Sequence, residues 1–232
     1  MMIAPVRSAK DTAMTDHTTA HAAMNGAVGT GKIRVWDPLV RIFHWSLVAS
    51  FAVAWLSAEE LSTVHEIAGY TVAGLVAFRM VWGLVGSRYA RFTQFVKGPG
   101  ATLAYLGDML RVKERRYIGH NPAGAAMVLA LLMALSATAF TGWLLEEPAR
   151  LSMLPDLPQI VAPAYADDDA DGYGGSSSEV IEEMHETFAN LMLLLVALHV
   201  GGVVLTSFRH HENLPRSMIT GDKRVPGPDD IA

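Results

Sequence analysis

Histidines inside apolar segments are the residues of this sequence with the clearest capacity for chemistry. His185 and His199 stand fourteen positions apart. No charged residue occurs between Glu186 and Arg209. On an α-helix, fourteen steps of 100° complete almost four turns, so both imidazoles lie on one face, about 21 Å apart along the axis. That distance is most of the roughly 30 Å thickness of a bilayer's hydrocarbon core. The spacing predicts two cofactors, one near each membrane surface.

Two more histidines lie in other apolar segments, at depths that match the first two. His65 and His185 each lie about one turn from the end of their segment, whereas His44 and His199 lie about eight or nine residues from the opposite end. A single histidine in a membrane helix often only forms a hydrogen bond to a neighbouring helix. Four histidines at matched depths on different helices instead favour ligation of a flat macrocycle by two imidazoles, since haem iron takes axial histidines. The depths predict two such pairs, His65/His185 and His44/His199.

Four apolar segments must position these histidines. The chain is 51% hydrophobic and only 18% charged, and each segment is long enough to cross a bilayer. The segments cover about residues 39–57, 63–86, 120–145 and 180–208. A surface helix is expected over 101–112. The predicted fold class is therefore all-α, a four-helix transmembrane bundle.

The charges of the connections predict the orientation of this bundle. Residues 87–119 carry seven basic side chains against two acidic ones, whereas residues 146–183 carry ten acidic side chains against one basic one. By the positive-inside rule, both termini and the basic connection lie in the cytoplasm. The predicted organisation is a disordered cytosolic arm (1–32), a membrane domain (33–211) with a long periplasmic acidic loop (146–179), and a cytosolic tail (212–232).

Three polar residues near the cytoplasmic surface are candidates for further contacts. Arg41 lies one turn before His44, and Arg79 is the one interior charge of the second segment. Either could hold a haem propionate as a bidentate ion pair, although Arg41 could equally be a positive-inside anchor. His120 precedes Asn-Pro at the start of the third segment, where helix capping is favoured and a quinone head-group contact is the alternative. Because the chain has no cysteine, any haem must be held non-covalently.

Short motifs around these residues resemble a known family. They are R-I-F-H-W at 41–45, H-E-I-A-G-Y at 65–70, F-R-M-V-W-G at 78–83 and G-H-N-P-A-G-A at 119–125, followed by the two histidines fourteen apart. In this order they resemble the prokaryotic cytochrome b561 family, which includes the cytochrome b subunits of membrane-bound nickel–iron hydrogenases. The resemblance covers about residues 33–211. It implies a multi-pass protein of the bacterial inner membrane with two haem b groups, for which His44, His65, His185 and His199 are the axial ligands.

The resemblance implies electron transfer between a periplasmic redox partner and the quinone pool. The partner would be a protein such as a c-type cytochrome or a hydrogenase, with quinone as the substrate; no nucleic acid is expected. A superoxide-to-quinone oxidoreductase is the alternative, although an acidic outer loop would repel an anionic substrate. A haem-free, histidine-based metal transporter is an alternative of another class. The sequence leaves open whether the chain is an enzyme in its own right.

Overall fold

The computed structural model describes residues 31–151 and 177–231. It is mostly helical, and four of its helices are long and apolar enough to cross a membrane, so the prediction of four spanning segments is confirmed. They are α1 (Pro38–Ser57), α2 (Ser62–Val85), α5 (Pro122–Leu145) and α7 (Ser177–Arg209). Most of the predicted arm (1–30) and of the predicted acidic loop (152–176) lies outside the described residues.

Shorter elements complete the described chain. The predicted surface helix corresponds to α4 (Pro99–Leu110), which begins and ends slightly earlier than expected. In chain order the short elements are β1 (Lys32–Arg34), α3 (Phe92–Phe95), α4 (Pro99–Leu110), α6 (Pro148–Leu151), α8 (Leu214–Thr220) and β2 (Asp222–Arg224).

Two of the spanning helices begin with the same local device. Asp37 precedes α1, and its carboxylate accepts a hydrogen bond from the amide of Val40 at 2.9 Å. Asn121 precedes α5, and its side-chain oxygen accepts from the amide of Gly124 at 2.7 Å. Each cap satisfies an amide that has no partner within the helix. A proline follows each cap at the first helical position, where its missing N–H costs nothing.

Each of the four long helices packs against the next long helix along the chain. Helix α1 packs against α2, α2 against α5, and α5 most extensively against α7. Between α1 and α7, as far as the structure describes them, no comparable backbone packing occurs. The buried core includes Phe43, Val72, Leu135 and Met192, at least one residue from each helix. Many other apolar side chains face outward, as a bilayer requires.

The two ends of the bundle differ in construction. We call the end that carries β1 and β2 the strand end, and the end with residues 58–61 and 146–151 the loop end. At the strand end β1 and β2 pair antiparallel, with Arg34 opposite Asp222. Residues 212–231 thus fold back onto the bundle, and the amide of Ile231 donates to the carbonyl of Arg116 at 2.8 Å.

A buried ion cluster fixes this C-terminal segment. Arg116, whose side chain is only 4% exposed, donates to Glu212 at 2.7 Å and also to Asp230. Lys223 lies 3.4 Å from the same Glu212 carboxylate and donates to the carbonyl of Ile118 at 3.1 Å. Each cation therefore has a carboxylate partner, which a charge removed from water requires. The sequence predicts only a cytosolic tail over 212–232, with no helix or strand assigned to it.

Candidate functional site

His65 and His185 meet at the loop end of the bundle. His65 lies in the first turn of α2 and His185 in α7, and the centroids of their rings are 6.1 Å apart. Both side chains are half-buried. The structure thus brings together two histidines that are 120 positions apart in the sequence and that the depth argument paired.

Hydrogen bonds determine which nitrogen of each ring is free. Nδ1 of His65 lies 2.8 Å from the carbonyl oxygen of Ala54 in α1. Nδ1 of His185 lies 3.0 Å from the carbonyl oxygen of Thr138 and 3.1 Å from the Thr141 hydroxyl, both in α5. Because a carbonyl oxygen only accepts, Nδ1 of each ring carries the proton and donates. The lone pair of Nε2 is then available in both rings, which is the state that ligates a metal.

The spacing of these rings suits a single metal held between them. A metal–imidazole bond is about 2.0–2.1 Å long, so two rings on opposite sides of one metal have centroids about 6 Å apart. The observed separation is 6.1 Å. A protonated Nδ1 bonded to a carbonyl is also the usual outer contact of a metal-bound histidine. His65 and His185 could therefore hold a haem iron between them.

Gly142 leaves room for the His185 ring. A Cβ atom at this position of α5 would lie 3.0 Å from Cε1 of His185, closer than ordinary van der Waals contact. The glycine thus permits the ring to lie against the helix backbone beside its hydrogen-bond partners. Gly69 in α2 differs, because a Cβ there would meet nothing within 4 Å.

His44 and His199 form the second candidate pair, nearer the strand end. His44 lies six residues after the start of α1 and His199 ten residues before the end of α7. Both are half-buried. Nδ1 of His44 is buried and has no hydrogen-bond partner among the described residues. These histidines lie on the two helices that do not pack directly, so a flat group would have access to both.

The two arginines predicted to bind propionates have protein partners in the structure. Arg41 donates from Nη1 to the carbonyl of Ile219 in the C-terminal segment. Arg79 is buried in α2, where its Nη2 donates to the carbonyl of Ala90 at 2.9 Å and its guanidinium lies 4.7 Å from the ring centre of Phe92. Each guanidinium nevertheless keeps one buried N–H group without a described partner, Nε of Arg41 and Nη1 of Arg79. Both arginine side chains could therefore still donate a hydrogen bond to an anionic group.

The expectation that His120 caps the third spanning helix is wrong. Asn121 is the cap, because its side chain is one residue closer to the first helical turn and reaches the amide of Gly124. His120 instead contacts the buried rings of Trp36 and Phe95, with centroid distances of 4.8 Å and 4.5 Å. Its Nδ1 is buried and has no hydrogen-bond partner within the described chain.

The surroundings of His120 keep it uncharged. Burial, reinforced by the positive charges of Arg79 and Lys223, lowers the pKa of His120 to about 3. A neutral imidazole can donate one hydrogen bond and accept another. His120 therefore presents an unsatisfied polar atom in an aromatic environment, close to Arg79.

Comparison with known proteins agrees with these observations. A family model described as prokaryotic cytochrome b561 matches residues 35–221, which include all four paired histidines. No curated protein and no solved structure matched the chain. In the residues that the structure describes, no group of three or more metal-binding side chains occurs. The chain therefore belongs to the prokaryotic cytochrome b561 family, which implies a membrane protein that binds haem b and transfers electrons.

Proposed function

We propose that this chain is a di-haem electron-transfer protein that connects a periplasmic redox partner to the quinone pool. Haem b, when bound, supplies reversible one-electron chemistry. The observation that carries the proposal is the His65/His185 pair, whose ring centroids are 6.1 Å apart and whose Nδ1 atoms are both bonded to helix carbonyls.

The four histidines would hold one haem at each depth of the bundle. His65 and His185 would ligate the group at the loop end, with Ala54 and Thr138 fixing the rotation of each ring through their carbonyls. His44 and His199 would ligate the group nearer the strand end. In this arrangement the unpaired N–H groups of Arg41 and Arg79 are candidates to bind propionates, since both arginines lie towards the strand end.

A quinone site is proposed at the strand end, around His120. Its aromatic neighbours Trp36 and Phe95 offer flat apolar surface for a quinone ring. The buried and unpartnered atoms Nδ1 of His120 and Nη1 of Arg79 could bond to quinone oxygens. The positive-inside rule supports a cytoplasmic strand end, with the acidic loop end facing the periplasm.

The test is to count haems in the purified protein and in single-histidine variants. Wild-type protein is expected to contain two haem b per chain by pyridine haemochrome assay. His44→Ala or His199→Ala is expected to remove one haem, and His65→Ala or His185→Ala the other. His21→Ala, outside the described residues, serves as the matched control and is expected to keep both.

Two results would count against the proposal. Wild-type protein without haem would favour a histidine-based metal transporter instead. Loss of both haems from each single variant, in protein that still inserts in the membrane, would contradict the pairing by depth.

A further inference from the structure

A cavity of about 360 Å³ lies at the strand end, apart from the histidine pairs. It is open to solvent and is lined by the end of α7, the chain before α5 and the C-terminal segment. Its lining is mostly basic, with Arg115, Arg116, Arg209, His210, His211 and Arg224. None of these residues has a role in the proposed haem or quinone sites.

Ion pairs within the protein neutralise only part of this charge. Arg116 is paired with Glu212 and Asp230, as described above. Arg209 lies 2.7 Å from Glu114, which also lines the cavity.

Two guanidinium groups remain without such a partner. No carboxylate in the described chain forms an ion pair with Arg115 or Arg224, and Nε of Arg115 donates to the backbone carbonyl of Asp229 rather than to its side chain. Asp229 is the one further acid of the lining. The cavity therefore presents net positive charge that the protein does not itself satisfy.

Backbone strain is concentrated beside the same cavity. Val112 and His211, with φ of 55° and 50°, are the non-glycine residues with positive φ in the described chain. Positive φ is especially unfavourable for a β-branched residue such as valine. Val112 lies two residues before Glu114, and His211 is itself part of the lining. Strained residues of this kind persist where surrounding structure holds them, often at binding sites.

Exposed apolar side chains lie next to this charge. Nη1 of Arg209 donates to the carbonyl of Met109 at 2.5 Å, which joins the end of α4 to the end of α7. Beside this contact Leu110 is 86% exposed and Phe208 is 75% exposed. Because α7 is long and apolar enough to cross a membrane, its end and these neighbouring side chains would lie near a membrane surface, where they could contact lipid chains.

We propose that this cavity binds the phosphate group of an anionic phospholipid. Arg115 and Arg224 supply the charge-assisted hydrogen bonds, since guanidinium groups match phosphate oxygens in bidentate geometry. Leu110 and Phe208 contact the acyl chains of the same lipid. Basic pockets at the cytoplasmic ends of membrane helices recognise anionic head groups in this way.

The test measures lipid retained by the full-length protein in neutral detergent, by native mass spectrometry. The probes are phosphatidylglycerol and phosphatidylcholine with identical acyl chains. Wild-type protein is expected to retain phosphatidylglycerol preferentially. The double variant Arg115→Gln/Arg224→Gln is expected to bind it about thirtyfold more weakly, because each basic residue contributes to anionic lipid binding. The single variant Arg224→Gln, which alters an exposed side chain, is expected to show about half of that effect on a logarithmic scale.

A matched control removes the same charge from the same end. Lys32 and Arg216 are exposed at the strand end and do not line the cavity, so Lys32→Gln/Arg216→Gln is expected to leave retention within about twofold of wild type. If both double variants weaken phosphatidylglycerol retention equally, the effect is general charge attraction and the proposed site is wrong. Retention of phosphatidylcholine equal to that of phosphatidylglycerol would also overturn it. If inorganic phosphate displaces the lipid at comparable concentration, the cavity is a site for a soluble anion and the lipid assignment fails.

Discussion

At the scale of single residues, backbone carbonyls hold the imidazoles of His65 and His185 in place. The carbonyls of Ala54 and Thr138 each fix the tautomer of one imidazole. A ring held in this way exposes Nε2 and cannot rotate to present Nδ1 instead. Such outer contacts typically change metal affinity by about ten- to a hundredfold.

The close approach of His185 to α5 leads to a prediction about Gly142. In Gly142→Ala the new methyl group would meet the ring, so His185 must move away from its two hydrogen-bond partners. We expect about tenfold weaker retention of the loop-end haem, measured by haem loss to an external acceptor. Gly69→Ala, where the new methyl group meets nothing within 4 Å, is the control and should behave as wild type. Similar loss from both variants would mean that general helix packing is responsible.

The unsatisfied atoms of His120 and Arg79 lead to a prediction about quinone. His120→Phe keeps an aromatic ring between Trp36 and Phe95 but removes the buried nitrogen. We expect quinone reduction by dithionite-reduced protein to slow by about tenfold, the effect of losing one buried hydrogen bond of about 1.4 kcal/mol, with an unchanged haem spectrum. Arg79→Leu should also slow this reaction more than it shifts the spectrum. An unchanged quinone rate in both variants would place the quinone site at the other end of the bundle.

At the scale of elements, the C-terminal segment is held by a largely buried ion cluster. Arg116→Gln removes the central cation, which leaves Asp230 without its ion-pair partner and Glu212 with Lys223 alone. Breaking a buried pair costs about 3–5 kcal/mol. We expect hydrogen exchange at the amide of Ile231, which bonds to the chain before α5, to accelerate by about a hundredfold or more.

The exposed ion pair of the same region provides the comparison. Arg34 is 66% exposed and lies 3.8 Å from Asp222. Arg34→Gln should change the stability of the segment by less than about 1 kcal/mol. If both arginine variants accelerate exchange equally, strand pairing rather than the buried cluster holds the segment.

The same cluster predicts how stability depends on pH. Burial alone would raise the pKa of Glu212, but hydrogen bonds from Arg116 and the charge of Lys223 outweigh it and lower that pKa. Asp230 behaves similarly: its burial is outweighed by hydrogen bonds from Gly227 and Arg116, which lower its pKa. A carboxylate with a lowered folded pKa stabilises the protein above its unfolded pKa of about 4, and this stabilisation disappears as pH falls through the folded value.

We therefore expect the thermal midpoint of wild-type protein to fall steeply below about pH 4. The variant Glu212→Gln/Asp230→Asn should have a lower thermal midpoint at neutral pH. This midpoint should also fall less as the pH is lowered, because the two titrating groups are absent. An equally steep decline in the variant would assign the acid sensitivity to other carboxylates.

At the scale of the whole molecule, the two ends of the bundle carry opposite kinds of charge. The strand end holds the basic connection and the cavity with Arg115 and Arg224, which form no ion pair in the described chain. In the sequence, many acidic residues follow α6 and precede α7; most of them lie outside the described residues. Single-sign charge raises the encounter rate with a partner of opposite charge. The acidic loop is thus proposed to dock a basic periplasmic electron carrier.

Replacing Asp167, Asp168, Asp169 and Asp171 by Asn tests this docking. Electron transfer with a basic c-type cytochrome should slow at low ionic strength. The difference from wild type should shrink at high salt, since the Debye length falls from about 10 Å at 0.1 M to about 3 Å at 1 M. Haem content and reduction by a small uncharged donor should not change. A wild-type rate at low ionic strength would make the loop only a spacer.

The parts of the fold that follow from local pattern could be predicted from the sequence. Long apolar runs fixed the four spanning helices to within a few residues, because a bilayer demands that length. Helical geometry paired His65 with His185 by depth alone. The Nδ1 partners could not be predicted, since Ala54 and Thr138 contribute backbone carbonyls that every residue possesses.

The structure of the C-terminal segment also escaped prediction, for a different reason. Its contacts join residues about a hundred or more positions apart, such as Arg116 with Asp230. Its polar, proline-containing composition is typical of a tail. One local signal was present: Asn213 begins α8 by accepting from the amide of Arg216 at 2.8 Å, with Pro215 in the first turn. Asn121 and Pro122 begin α5 in the same manner.

The pairing of β1 with β2 has a consequence for biosynthesis. Arg34 pairs with Asp222, 188 positions later in the chain. At about 5–20 residues per second, a ribosome needs roughly 10–40 s to make the intervening chain. During that time β1 waits without its partner while four helices enter the membrane. The strand pair can close only after residues 222–224 have been translated, so a product truncated before them would leave β1 unpaired and accessible to cellular proteases.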